Sequence, residues 1–252
     1  SSRSRANIKT WPLLDAAESF KAAETASAHG ANHFGIVTSG RALNREDELN
    51  TLCKAIARIA TELPIKPCAS LGILKEKELA RLRDAGLSRY HHNLEAAPSF
   101  FPQICSTRGY AAQTETALAA KRVGLQVCAG GIFGLGESFA QRAELLEMIR
   151  SLDVDSVPIN FLNPIPGTPL ENAKRLEPLE CLSIIAVARL MMPQISIRVC
   201  GGRELNLRDF QSWIFAAGAD SLMVGGYLVT PGRAVEADRQ MIQDAGLESK
   251  RP

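Results

Sequence analysis

Arg198 and Cys200 stand two residues apart in the segment SIRVCGGRE, which reads as a short strand ending at Gly201-Gly202. Successive side chains of a strand point to opposite faces, so this cation and this thiol share one face. Five further cysteines stand at positions 53, 68, 105, 128 and 181, and no two form a CxxC pair. In a chain of 252 residues they read as thiols or metal ligands rather than as a disulfide framework. A second polar set lies in YHHNLE, where His91, Asn93 and Glu95 fall on one face at period two, and in VPINFLN, which contributes Asn160. Amides donate and accept, and carboxylates accept from hydroxyls. The set therefore suits a ligand with urea-like or ribose hydroxyl groups. The competing reading is that strand-end amides tie down loops. His91 and His92 are adjacent, so a strand sends them to opposite sides and they do not form a metal pair; one of them is read as structural. The glycine-rich GGIFGLGE (130–137) allows close backbone approach to a ligand, but alone it specifies none.

These residues need elements to hold them. Helical periodicity marks 13–30, 45–63, 75–86, 109–124, 138–152, 177–192, 207–218 and 234–246. Short β-rich runs mark 32–39, 66–72, 89–95, 126–134, 156–163, 196–202 and 221–226. Their alternation predicts an α/β fold with a parallel sheet covered by helices. A TIM-type (β/α)8 barrel typically takes about 250 residues. Seven strands behind a leading helix read as that barrel lacking its first strand, as one domain over 1–252. A doubly wound open sheet competes, but no strand leads into a GxGxxG that opens a helix.

With the missing strand counted first, Cys68 lies on strand three, Cys128 on strand five, and Arg198 and Cys200 on strand seven. Alternate strands share side-chain layers inside a barrel, so these groups are expected to converge as a metal or cluster site. Cys105, after strand four, is a candidate fourth ligand. Any one cysteine alone reads as a small buried hydrophobe, and Cys53 and Cys181, in helical stretches, are taken as packing residues.

Formal net charge is +2 and 46% of residues are hydrophobic. No basic run suggests nucleic acid, no segment reads as a membrane span, and no signal peptide is seen; a cytoplasmic protein is expected. The chain begins SSRSR, without Met, and reads as N-terminally truncated. CGGRE and VGGYLVTPGR follow the last two strands, where barrels often bind phosphate. A phosphate-binding enzyme is the second reading, although the lysine or paired carboxylates it would want are not found. A non-enzymatic iron–sulfur or thiol-binding scaffold is the third.

RYHHNLE, QVCAGGIFGLGE, SVPINFLNPIPGTPL, AVARLMMP, RVCGGRE and GADSLMVGGYLVT together closely resemble biotin synthase, of the radical S-adenosylmethionine enzymes, along nearly the whole chain. The resemblance implies sulfur insertion into dethiobiotin. One 4Fe-4S cluster cleaves S-adenosylmethionine to a radical, and an auxiliary iron–sulfur cluster donates the sulfur. It assigns Cys68, Cys128 and Arg198 to the auxiliary cluster, where an arginine beside an anionic cluster is electrostatically sensible. The family's further strand-two cysteine follows a phenylalanine; here that pair reads Phe34-Gly35. Cys105 and Cys200 are present instead, which resembles the branch with a four-iron auxiliary cluster and a thiolate set of Cys68, Cys105, Cys128 and Cys200. By the same resemblance Asn93 and Asn160 contact the ureido ring of dethiobiotin, and Asn93 also S-adenosylmethionine. Glu95 binds the ribose. Gly130, Ile132, Gly134 and Glu137 form the adenine side, and Thr38, Ser39 and Gly40 lie near the methionine amino group. The family's CxxxCxxC loop is not within these 252 residues, so the stretch alone is expected to be inactive. A homodimer is a family expectation.

Overall fold

The structure, a computed structural model, describes residues 12–38, 42–43, 45–226 and 232–249. In chain order the elements begin α1 (Ala16–Ala28), β1 (His33–Val37), α2 (Glu46–Glu62), β2 (Lys66–Ser70), α3 (Glu76–Asp84) and β3 (Arg89–His91). They continue with α4 (Phe101–Ile104), α5 (Ala111–Arg122), β4 (Gln126–Cys128), β5 (Gly131–Phe133), α6 (Phe139–Ser151) and β6 (Ser156–Phe161). The last are α7 (Pro178–Met191), β7 (Ser196–Val199), α8 (Arg203–Leu207), α9 (Trp213–Ala216), β8 (Ser221–Leu222) and α10 (Val235–Asp244). Two compact units result. Unit N comprises 12–92 and 111–128, and unit C comprises 93–110 and 129–248.

Unit N carries β1 to β4, paired β1–β2, β2–β3 and β3–β4, all in parallel. One face presents Ile36, Ala69, Tyr90 and Val127, a row that is at most 8% exposed. Helices α2 and α5 lie against β2 and β4. In α2 the spacing of Leu49, Leu52, Ile56 and Ile59 puts all four on one buried stripe. Tyr90 donates its hydroxyl to the Gly72 carbonyl at 2.6 Å, and burial pushes its phenol well above the usual range. The opposite face presents Gly35, Cys68, Arg89 and Gln126 at one level of the register, with His91 and Cys128 paired two residues further along. At the start of the unit, Asp15 caps α1: its side chain accepts from Ala17 N and Glu18 N, both at 2.8 Å, while Glu18 returns the bond to Asp15 N.

In unit C every residue of β6 is buried, with β5 and β7 pairing to it in parallel and β8 pairing to β7. The fully buried Asn206 amide joins three loops. It donates to the Leu162 and Gly202 carbonyls at 3.2 and 2.8 Å and accepts from Leu176 N at 3.1 Å. Arg203 of α8 and Asp238 of α10 form an ion pair at 2.6 Å, with side chains 5% and 0% exposed.

Several elements differ from expectation: α4 and α8 were not foreseen, and the strand expected over 221–226 covers only Ser221–Leu222. The run 126–134 is two strands, β4 and β5, because the chain at Gly130 passes so close to β6 that a Cβ there would lie 1.9 Å from the Pro158 carbonyl oxygen. The run 89–95 is a strand only through His91; Glu95 takes a left-handed φ of 69° and returns to the sheet as an isolated bridge to Gly131. The run 207–218 is not one helix: α8 ends at Leu207, Arg208 has a positive φ of 50°, and a 3-10 turn (Arg208–Phe210) and then α9 follow.

The buried ion pair gives a stability prediction. Asp238→Ala leaves the Arg203 guanidinium buried without its carboxylate and should cost about 3–5 kcal/mol in denaturant unfolding. Arg203→Met combined with Asp238→Leu should recover most of that loss. Equal stabilities for the single and double variants would show that the pair does not hold α10.

Candidate functional site

Cys68 and Cys128 both lie in unit N, on the face that turns away from the Tyr90 row, and are 7% and 1% exposed. The Cys68 sulfur sits 3.9 Å from both the Lys66 carbonyl and the Ser88 hydroxyl. The Cys128 sulfur lies 3.3 Å from His91 Nδ1. The two histidines divide as strand geometry requires. His91 shares the thiol face. His92 faces the helices, where its Nε2 meets Gln113 Oε1 of α5 at 3.2 Å and its ring stacks on Tyr90 at 6.3 Å. His92 is thus the structural one. Thr38 follows β1, and its amide donates to the Ser70 carbonyl at 3.1 Å. Ser39 and Gly40 lie outside the described residues.

In unit C the candidate binding residues gather around one short strand, β5. The Asn93 side-chain oxygen accepts from Gly130 N at 3.2 Å. The Glu95 carbonyl accepts from Ile132 N at 2.8 Å, which fixes the carboxylate-bearing residue in its left-handed turn. Asn160, level with Ile132 on the neighbouring strand, donates Nδ2 to the Gly131 carbonyl at 3.2 Å. Its oxygen accepts from Gly201 N at 3.0 Å. Both asparagines therefore bind backbone, as the loop-tying reading of strand-end amides expects. An amide nitrogen has two hydrogens and an amide oxygen two lone pairs, so these bonds do not exhaust either group.

The adenine-side candidates follow. Glu137 turns its carboxylate back on the glycine-rich loop, accepting from Gly134 N at 2.8 Å and Leu135 N at 2.7 Å. Arg142 clamps it, donating to Glu137 at 2.7 Å and to Glu180 at 2.7 Å. Glu137 therefore shapes the loop from beneath. Arg142, which sequence reasoning did not single out, is its anchor. A glutamate five residues before an arginine gives no signal of that role.

On β7 the Arg198 Nε donates to the Ser221 hydroxyl at 3.2 Å, and Cys200 N donates to the Ile159 carbonyl at 2.9 Å. Strand alternation sets Arg198, Cys200 and Asn160 on one face. Cys105 ends α4, half-buried, its sulfur 3.6 Å from the Thr107 hydroxyl. Burial alone would raise its pKa. The Thr107 hydroxyl, the amides of Thr107 and Arg108 and the Arg108 charge outweigh that, and the thiol lies below the usual cysteine value. Cys181 is the opposite case: burial and the neighbouring Glu180 push it up to about 12. Cys53 is also raised, chiefly by burial. Among the described residues no three His, Cys, Asp or Glu side chains gather tightly enough to hold a metal ion. A polynuclear sulfide cluster spaces its thiolates more widely than a single ion does.

Known proteins resemble this chain along most of its length. The radical SAM superfamily matches residues 3–149, and the biotin and thiamin synthesis associated domain matches 158–248. The chain is 53% identical over 243 residues to a biotin synthase of Pelobacter propionicus, covering 96% of this chain and 74% of that protein. It is 53% identical over 241 residues to a biotin synthase of Geobacter sulfurreducens, covering 96% and 73%. Among solved structures it superposes on methylornithine synthase with a TM-score of 0.83 at 20% identity, covering 98% of this chain and 77% of that one. An FeFe-hydrogenase maturase from Carboxydothermus hydrogenoformans gives 0.78 at 17%, covering 96% and 60%. These likenesses bear out the α/β class and the partial TIM-type barrel expected from the strand count.

The thiol environments predict an order of reactivity. In iron-free protein near pH 7, Cys105 should alkylate faster than Cys53 or Cys181, because its lowered pKa raises its thiolate fraction. Thr107→Val and Arg108→Met each remove a stabiliser of that thiolate and should slow Cys105 several-fold. Peptide mapping after timed iodoacetamide exposure reads the order; equal rates at Cys105 and Cys181 would contradict it.

Proposed function

The chain belongs to the biotin synthase family of the radical SAM superfamily, and from that premise we propose how its own residues serve the conversion of dethiobiotin to biotin. The activity is that of a sulfurtransferase which uses S-adenosylmethionine and iron–sulfur clusters. The observation that carries it is identity at about half of all positions along 96% of this chain to curated biotin synthases. The phosphate-binding and scaffold readings have no comparable support.

The residues present fit an auxiliary iron–sulfur group. Unit N offers two buried thiols on one face, a buried guanidinium nitrogen without an acceptor among the described residues, and open space where Gly35 carries no side chain. When bound, the auxiliary cluster supplies sulfur, and S-adenosylmethionine with its own cluster supplies the hydrogen-abstracting radical. In unit N, Cys68 and Cys128 would hold the auxiliary group; the family resemblance adds Cys105, Cys200 and Arg198 to its ligand set. Asn93 and Asn160 present amides to the ureido ring of dethiobiotin, positioned by their bonds to Gly130, Gly131 and Gly201. Glu95 presents its carboxylate to ribose hydroxyls, and Thr38 stands at the methionine end. Gly130, Ile132 and Gly134 let the adenine approach the backbone, while Glu137 and Arg142 hold that loop in shape. The four-iron type of auxiliary cluster, a homodimer and a cytoplasmic location belong to the same proposal, on the strength of the family resemblance. No helix among the described residues is long and apolar enough to cross a membrane.

Two experiments on the reconstituted holoenzyme test this assignment. Cys68→Ala and Cys128→Ala should abolish biotin formation and lower auxiliary iron while leaving part of the S-adenosylmethionine cleavage. Cys53→Ala and Cys181→Ala should leave both iron and turnover unchanged. Asn160→Ala should weaken dethiobiotin binding by about 5- to 150-fold, the effect of about 1–3 kcal/mol for a lost buried hydrogen bond. Undiminished affinity would make Asn160 a backbone strut alone.

A further inference from the structure

Arg89 is a buried cation without a counter-charge among the described residues. It is 9% exposed and lies on β3, level with Cys68 on one side and Gln126 on the other. Paired residues of neighbouring parallel strands are about 4.8 Å apart and point to the same face, so the guanidinium stem rises beside the Cys68 thiol. Its Nη2 donates to Gln126 Oε1 at 3.1 Å, a neutral acceptor. Its Nε–H is buried and meets no acceptor among the described residues. The two other buried arginines of the described chain are treated differently. Arg142 donates to both Glu137 and Glu180, and Arg203 to Asp238. Burying a charge costs several kcal/mol unless it is paired, and only Arg89 has an amide where the others have a carboxylate. On the far side of Cys68, at the same level, a Cβ on Gly35 would meet nothing within 4 Å. The face thus combines a cation seeking an anion, two thiols and adjoining room.

We propose that Arg89 is a positioning residue whose guanidinium supplies the counter-charge and an Nε–H hydrogen bond to the auxiliary iron–sulfur group held by Cys68 and Cys128, and thereby raises its reduction potential. This rests on the assignment of those two cysteines in the preceding subsection. A thiolate-ligated sulfide cluster is anionic and gains one more negative charge on reduction. A fixed cation beside it stabilises the reduced form more than the oxidised one, and hydrogen bonds to its sulfurs act in the same direction. Arg89 differs in this from Arg198, whose Nε is already bonded to Ser221.

The test is a redox titration of the reconstituted holoenzyme, followed by electron paramagnetic resonance of the auxiliary cluster, with iron counted in each variant. Arg89→Gln should keep its auxiliary iron yet shift the reduced-to-oxidised ratio at a fixed poise at least tenfold towards oxidised, a fall of 59 mV for one electron. Arg89→Lys keeps the charge and should recover part of the shift. Should the Gln variant fail to fold, Arg89→Met with Gln126→Met removes both partners and leaves no orphaned group; it should show the same fall. An unchanged potential in either loaded variant would overturn the proposal and leave Arg89 as packing. Full auxiliary iron in Cys128→Ala would instead overturn the ligand assignment on which it rests, so the two failures are distinguishable.

Discussion

The register of β1 to β4 is the constraint on which the thiol site depends. Ile36, Ala69, Tyr90 and Val127 occupy one face and are buried. A slip of one residue would turn that whole row outward and carry the thiols to the helix side. Four largely buried side chains at about 25 cal/mol per Å² make such a slip cost several kcal/mol, and the Tyr90 hydroxyl bonded to Gly72 adds a directional lock. Cys68, Arg89, His91 and Cys128 therefore face as they do chiefly because of their apolar neighbours.

Unit C achieves the same end with backbone contacts. Gly130 and Gly131 press so closely on β6 and on Glu95 that any side chain there would overlap carbonyl oxygens. That closeness brings Asn93, Glu95 and Asn160 within reach of one three-residue strand. The asparagines are rigid because each already holds backbone, and a ligand amide held by a rigid partner loses less rotamer entropy on binding. The bonds that the loop-tying reading expects are thus compatible with a ligand-binding role for the same amides.

The helices and most strands were legible in the sequence because apolar spacing records burial directly. Period two put His91, Asn93 and Glu95 in one row, but the strand ends at His91 and Glu95 turns left-handed. The same count reaches back to Arg89, whose importance was not visible because a lone arginine at a strand start usually reaches solvent. What spacing could not show was the break at Ala129–Gly130 or the positive φ at Glu95 and Arg208. Each is set by the close approach of a distant segment or by strain that a non-glycine residue bears. The roles of Arg142 and Arg203 were hidden for the same reason: their carboxylates lie up to 38 residues away in sequence.

Cysteine chemistry here is decided by surroundings rather than by residue type. Iron binding requires the thiolate, so every ligand must lose a proton. Cys181, whose pKa burial lifts to about 12, pays heavily for that loss, and Cys53 is shifted in the same direction. Cys105 has a hydroxyl, two backbone amides and an arginine arranged to favour the anion. Position on helix or strand separates packing thiols from ligand candidates only coarsely; the local field separates them by mechanism. It is the field around Cys105, more than its place after β3, that favours its thiolate.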